Sequence, residues 1–190
     1  MLPDDYQIRE LSDAEFDPLW RAEAPKIFDE NSQIFRVWQW LDEDERAKAA
    51  LLRERLGKPY ALNLGLFHKG AFVGWCAGHQ ESSETFYMRN SAVLPEHRRK
   101  GLYTTLLQHA VSLATEQGFQ KIYSRHSATN NDVIIPKLKA GFTISSLEVS
   151  DMFGVLVHLT YFPKSLRRKV MLYRVGDSKP DAEIKKCLDL

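Results

Sequence analysis

The segment Val93-Leu94-Pro95-Glu96-His97-Arg98-Arg99-Lys100-Gly101-Leu102-Tyr103 constrains this chain more than any other. It joins a strand-like run, Thr85 to Leu94, to a stripe of helical period in which Leu102, Leu106, Ala110, Leu113 and Ala114 recur, widened by Tyr103, Leu107 and Val111. Proline breaks the strand, three basic residues make a turn, and glycine stands at the helix start. The first amides of a helix lack intrahelical acceptors, and the macrodipole adds about half a positive charge there. Gly101, with no Cβ, lets a bulky anion come close to the backbone. The turn is thus either an anion cradle for a phosphate or a solvated basic loop. After Gly118 closes the helix, Phe119 to His126 reads as a strand again, and a strand-helix-strand unit sets that strand parallel to the one before the cradle.

The other elements fit one sheet. Residues 6 to 11 read as a short first strand, stopped by the helix cap Ser12-Asp13, and Asp17 to Leu56 as two or three helices broken at Pro25 and Asn31-Ser32. Phe28, Ile34, Phe35, Trp38 and Trp40 concentrate aromatic and apolar surface there, either packing helices onto the sheet or lining a pocket. Residues 60 to 68 and 71 to 79 form a hairpin about Lys69-Gly70, and a polar turn leads to the third consecutive strand. On that strand, period two places Thr85, Tyr87, Arg89, Ser91 and Val93 on one face. Ala128-Thr129-Asn130-Asn131-Asp132 offers several caps for another helix, running to Ala140, short or kinked because of Pro136 and closed by Gly141. Residues 142 to 149 and 155 to 162 make a closing hairpin, Leu166 to Val175 is strand or short helix, and 177–190 is a C-terminal tail with one helical turn. The fold class is α/β (α+β): a mixed, mostly antiparallel sheet of about seven strands flanked by helices, in a single domain over 1–176.

Charge and cysteine content narrow the function. With 26 basic and 25 acidic residues the net charge is +1, so no global field steers the protein to nucleic acid or to a membrane. Two cysteines, Cys76 and Cys187, are too few for a disulfide framework or zinc site, and no metal site is expected. No apolar run approaches the roughly 20 residues of a membrane span, and the acidic start lacks the pattern of a signal peptide. A cytoplasmic location is the expectation.

The strand, break, basic turn, helix, parallel strand and second helix ending in Gly-Phe resemble the GNAT superfamily of acyl-CoA-dependent N-acetyltransferases, from about residue 6 to 162. The family's first signature is matched by Val93, Pro95, Arg98 and Gly101 and departs at Tyr103, where a glycine or alanine is usual. Of the second, Asn130 and Gly141-Phe142 match, while Lys137 holds the tyrosine position. The resemblance implies acetyl-CoA as co-substrate and an amine of a small molecule or peptide as acceptor, with direct attack in a ternary complex. Val93 would offer backbone groups to the pantetheine and thioester. The amides from Arg99 through Lys100, Gly101, Leu102 and Tyr103 to Thr104 would hold the pyrophosphate, with Arg98, Arg99 and Lys100 around it, and Asn130 would touch the pantetheine arm. Monomer and homodimer are both compatible with it.

Three side chains are candidates for proton handling. Tyr87 stands six residues before Val93, where some relatives carry a glutamate base, and either hydrogen-bonds the reactants or packs the strand face. Lys137 could protonate a thiolate if buried, or be an exposed helix lysine. His126 ends the parallel strand near the expected substrate, and an ordinary imidazole pKa suits a base. Two rival functions are a non-catalytic acyl-CoA sensor, to which Lys137 at the tyrosine position lends weight, and a binding protein that uses Arg98-Arg99-Lys100 with Arg167-Arg168-Lys169 as a basic patch.

Overall fold

The structure is a computed structural model that describes residues 2–28 and 37–190. Ile34 and Phe35, named above as aromatic or apolar pocket candidates, lie outside the described residues. Seven strands form one sheet in the order β1-β2-β3-β4-β5-β7-β6: β1 (Tyr6–Glu10), β2 (Ala61–His68), β3 (Ala71–Gln80), β4 (Thr85–Val93), β5 (Lys121–Ser127), β6 (Thr143–Ser150) and β7 (Gly154–Tyr161). Every pairing is antiparallel except β4 with β5. The β2–β3 hairpin turns on Lys69 and Gly70, both at positive φ (49° and 85°), the twist a two-residue turn between right-twisted strands requires.

Helices cover both faces. Helix α1 (Asp13–Glu23) begins with a capping box, in which Ser12 caps the Glu15 amide and Glu15 reaches back to the Ser12 amide. It lays Phe16 against Phe72 and Trp75 on one face of the sheet. Helices α3 (Leu102–Glu116) and α4 (Asn131–Lys139) cover the other face. There Leu106, Leu107, Ala110 and Ala114 of α3 and Ile134 of α4 pack with Leu62, Leu64, Met88, Ile122 and Leu159. Helix α4 is nine residues long and holds Pro136 in its last turn, so the short form is the one observed. Helix α2 (Glu43–Arg55) starts at a second capping box on Asp42 and buries no side chain, while Trp38 and Trp40 before it are exposed.

Two C-terminal segments are helices. Leu166 to Val175 falls in α5 (Ser165–Arg174), and the expected tail carries α6 (Ala182–Leu188), longer than the one turn read from sequence. Ile184 of α6 is buried, and Asp181 and Glu183 pair with Lys169 of α5 at 3.0 and 2.7 Å. The signal for docking was Ile184 and Leu188 one turn apart in a charged run, too short for periodicity to register.

Strand β4 departs from strict alternation, and this corrects the sequence expectation. Ala77 pairs with Asn90 but Gly78 pairs with Met88, so Arg89 is an extra residue, a β-bulge. Cross-strand partners share a face. Phe86 and Met88 before the bulge, and Ser91 and Val93 after it, therefore point to the α3 side, while Tyr87, Asn90 and Ala92 point to the α1 side. Tyr87 and Val93 are on opposite faces, not the same one. A second irregularity follows. β4 and β5 pair only at Thr85 with Lys121, Phe86 with Ile122 and Tyr87 with Tyr123, after which each bonds only its outer neighbour.

Gly78 makes the bulge possible. A Cβ there would stand 2.5 Å from both the Phe86 ring and the Tyr87 carbonyl oxygen. Gly78→Ala is expected to cost about 2–3 kcal/mol, at the upper end for overpacking because one of the clashing atoms is backbone, seen as a lower urea midpoint with an unchanged m-value.

Candidate active site at the parting of β4 and β5

The basic turn is built as a donor cradle. A 3-10 turn over Pro95–His97 leads into Arg99 at φ 61° and Gly101 at φ 75°, with Gly101 the N-cap of α3. In this conformation the amides from Arg99 to Thr104 find no acceptor among the described residues. A Cβ built on Gly101 would meet nothing within 4 Å, so its side faces open space. Successive unpaired N–H groups at a helix start suit a diphosphate. Arg98 also fixes the turn to the end of β4, because its Nε donates to the Val93 carbonyl at 2.9 Å. Lys100 bends back to the Tyr6 hydroxyl at 3.1 Å, and that hydroxyl bonds His97 Nδ1 at 2.8 Å while its ring stacks on His68. Burial, then the Lys100 charge, lowers the His97 pKa. Tyr6 thus ties β1 to the cradle, a contact across 91 residues with no local sequence signal. Tyr103 turns inward: it packs on the core beside Ser91, and burial pushes its phenol pKa up, so the missing small residue leaves the cradle open.

Where β4 and β5 part, a cleft of about 510 Å³ opens. It is lined from the α3 side by Met88, Ser91, His126, Asn130 and Val133, and from the α1 side by Tyr87, Asn90, Arg125 and Phe28. The cleft therefore runs through the sheet. Of the sequence candidates, Tyr87, His126 and Asn130 meet here; Val93 is buried at the cradle end of β4; Lys137 is not in the lining.

Lys137 lies behind the wall, 0% exposed. Its Nζ donates to Ser124 Oγ at 2.7 Å, stands 3.6 Å from Met88 Sδ, and lies 5.0 Å from the centre of the Phe142 ring. Ser124 Oγ is also 2.9 Å from His126 Nε2. Burial without a carboxylate partner pulls Lys137 from 10.5 down to about 8, and burial followed by the Lys137 charge pulls His126 down to about 3. Burial pushes the neighbouring Cys76 thiol up to about 11. Ser124 was missed in the sequence; its one trace is a small polar residue two before His126, on the same face of β5.

On the α1 side, Tyr87 Oη accepts from Nε and an Nη of Arg125, each at 3.3 Å, and the Tyr87 ring lies beside that of Tyr123. Arg125 also contacts Glu148 at 3.3 Å, and His158 Nε2 donates to the same carboxylate at 2.7 Å. These bonds, that of His158 first, hold the Glu148 pKa below the usual carboxylate value. With Arg125 as donor, the phenol proton of Tyr87 is left to donate into the cleft. Arg125 and Glu148 are 23 residues apart on β5 and β6, and only the sheet order reveals them as a pair.

Lys137 makes stability pH-dependent in a defined direction. Between about pH 8 and 10.5 the unfolded lysine holds its proton while the folded one has released it, so the unfolded state binds more protons and stability rises with pH. Relative to Lys137→Met, the wild type is expected to gain up to roughly 3 kcal/mol across that window, checked by paired urea titrations at several pH values.

Comparison with known proteins agrees with this fold. The sequence pattern of the acetyltransferase (GNAT) family matches residues 9–142. Among solved structures, yncA of Salmonella typhimurium, determined with its cofactor acetyl-CoA, superposes with a TM-score of 0.61 at 17% identity, covering 94% of this chain and 99% of that one. Ard1 of Thermoplasma volcanium gives 0.59 at 18% identity over 83% and 97%, and the ribosomal-protein-S18-alanine N-acetyltransferase of Escherichia coli gives 0.56 at 17% over 83% and 93%. No curated protein sequence matches the chain. At such identities the structures establish the shared fold, and the family pattern establishes membership: the chain belongs to the acetyltransferase (GNAT) family and is an acyltransferase.

Proposed function

We propose that the protein is an N-acetyltransferase that transfers acetyl from acetyl-CoA to an amine of a small molecule or peptide by direct attack in a ternary complex. The observation that carries this reading is the row of amides without acceptors among the described residues at the start of α3, directly after the strand that borders the cleft through the sheet. The amides of Arg99 to Thr104 would hold the pyrophosphate, aided by the charges of Arg98, Arg99 and Lys100. The β4 backbone up to Val93 would lie along the pantetheine and thioester, with Asn130 on the opposite wall. A second ligand entering from the α1 side would meet Tyr87, Asn90 and Arg125.

Bound there, acetyl-CoA supplies the activated acyl group. The protein must then take a proton from an amine that is almost wholly charged at neutral pH, and return one to the departing sulfur. His126 lines the cleft as a neutral imidazole, but burial and then the Lys137 charge lower its pKa to about 3, so it is not the base of ordinary pKa expected from the sequence and is too weak to hold the amine's proton by itself. Tyr87 accepts from Arg125 at its oxygen, which leaves its O–H free to donate, and this suits orienting the acceptor or the thioester carbonyl more than removing a proton. The acyl-CoA sensor remains the alternative because Lys137 replaces the tyrosine of the second signature.

Two experiments test the reading. Acetyl-CoA at a hundredfold excess over Kd is expected to stabilise the protein by about 2.7 kcal/mol, seen as a raised Tm, and no shift at millimolar ligand would refute the cofactor assignment. An amine panel with thiol detection should then find an acceptor, and with that acceptor Tyr87→Phe should lower kcat about tenfold or more at unchanged affinity for acetyl-CoA. Unchanged turnover removes Tyr87 from the site, and stabilisation without turnover on any amine favours the sensor.

A further inference from the structure

We propose that Ser124 is a proton-relay residue that connects His126 in the cleft wall to the buried ammonium of Lys137, and that through it Lys137 supplies the proton to the departing thiolate. This rests on the acetyl-transfer reading above, and assigns the acid by a route other than direct contact. Three observations carry it. Lys137 is fully enclosed and absent from the cleft lining, so it cannot touch a substrate. Ser124 is also fully buried and stands within hydrogen-bond distance of both Lys137 Nζ (2.7 Å) and His126 Nε2 (2.9 Å). His126 alone of the three lines the cleft.

The hydrogen directions follow from the donor inventory. The lysine ammonium can only donate, so Ser124 Oγ accepts from it and turns its own O–H to His126 Nε2. Nε2 is then an acceptor, and the neutral imidazole carries its proton on Nδ1. For the sulfur to be protonated, three bonds break and three form. Nδ1–H breaks as S–H forms, the Ser124 O–H breaks as Nε2–H forms, and a Lys137 N–H breaks as the serine O–H is remade. Before any recharging step, Lys137 is left as a neutral amine and His126 is again neutral. The reverse sequence recharges the lysine with the proton released by the attacking amine. A lysine near pH 8 and a thiol near 8.5 are matched closely enough for either direction to be accessible.

Among the described residues, the titratable groups facing Lys137 from the elements packed on it are Cys76 of β3 and His126 of β5, while Met88 of β4 and Phe142 present no charge. With no carboxylate among these groups, the positive charge sits on Lys137, and its presence there opposes a proton on His126.

The test uses protein labelled with ¹⁵N-histidine, as wild type, Ser124→Ala and Lys137→Met. In the wild type, His126 should be a neutral Nδ1–H tautomer between about pH 5 and 7, where Lys137 is charged. Lys137→Met should raise its titration midpoint by about one unit or more, since the opposing charge is gone. Ser124→Ala should keep the midpoint low but release the tautomer into a mixture. With the acceptor found by the amine panel, kcat in the wild type should fall as pH rises through the Lys137 titration. Both variants should lose that limb and about tenfold to a hundredfold in kcat, with the KM for acetyl-CoA unchanged. If Lys137→Met does not fold, Ser124→Ala alone decides. A fixed tautomer and an unaltered pH limb in Ser124→Ala overturn the relay while acetyl transfer stands. A wild type that acetyl-CoA does not stabilise overturns both.

Discussion

The loss of pairing between β4 and β5 after three residues is the constraint on which the rest of the structure depends. A continuous parallel ladder would satisfy both strands and leave no route through the sheet. Here β4 keeps its bonds to β3 as far as Val93, and β5 keeps its bonds to β7 as far as Ser127, so each strand is held from the outside while their facing edges separate. The bulge at Arg89 contributes twist on the side of the gap. Gly78 lets Phe86 lie across the bulge, and Arg98 clamps the end of β4 through the Val93 carbonyl, so the cradle and the gap are a single construction. Backbone edges that would otherwise seek a strand are left free to meet a ligand.

How much of this was legible depended on whether the cause was local. The cradle, the α3 stripe, the Lys69-Gly70 hairpin and the Ser12 cap were all readable, because each is set by residues within one turn or one strand. The face assignment on β4 failed because a bulge is a two-against-one match with a neighbouring strand, and no period within β4 contains it. The Tyr6–His97, Arg125–Glu148 and Lys137–Ser124 contacts join residues 91, 23 and 13 apart, so they exist only once the sheet order is known. Whether Lys137 was exposed or buried could not follow from α4 alone: the helix carries two lysines in its last turn, Lys137 and Lys139, and only its docking on β5 decides which one is covered.

That choice matters because burying an ammonium works against the fold. A charged group taken from water costs several kcal/mol unless it is paired, and here the partners are a hydroxyl, a thioether and the face of an aromatic ring. A tyrosine at this place would bring no such penalty. Proteins commonly accept a local loss of stability where a site requires it, and a lysine whose proton is weakened by burial is a better acid than one in solvent. His126 is kept neutral first by its own burial and then by the Lys137 charge, which opposes a second proton in the cleft wall. The destabilisation and the lowered lysine pKa therefore have one origin. The enclosed lysine places no charge in the cleft, whose lining carries Arg89 and Arg125, so an acid acting from behind the wall, as proposed, would leave the field felt by an acceptor to those two arginines.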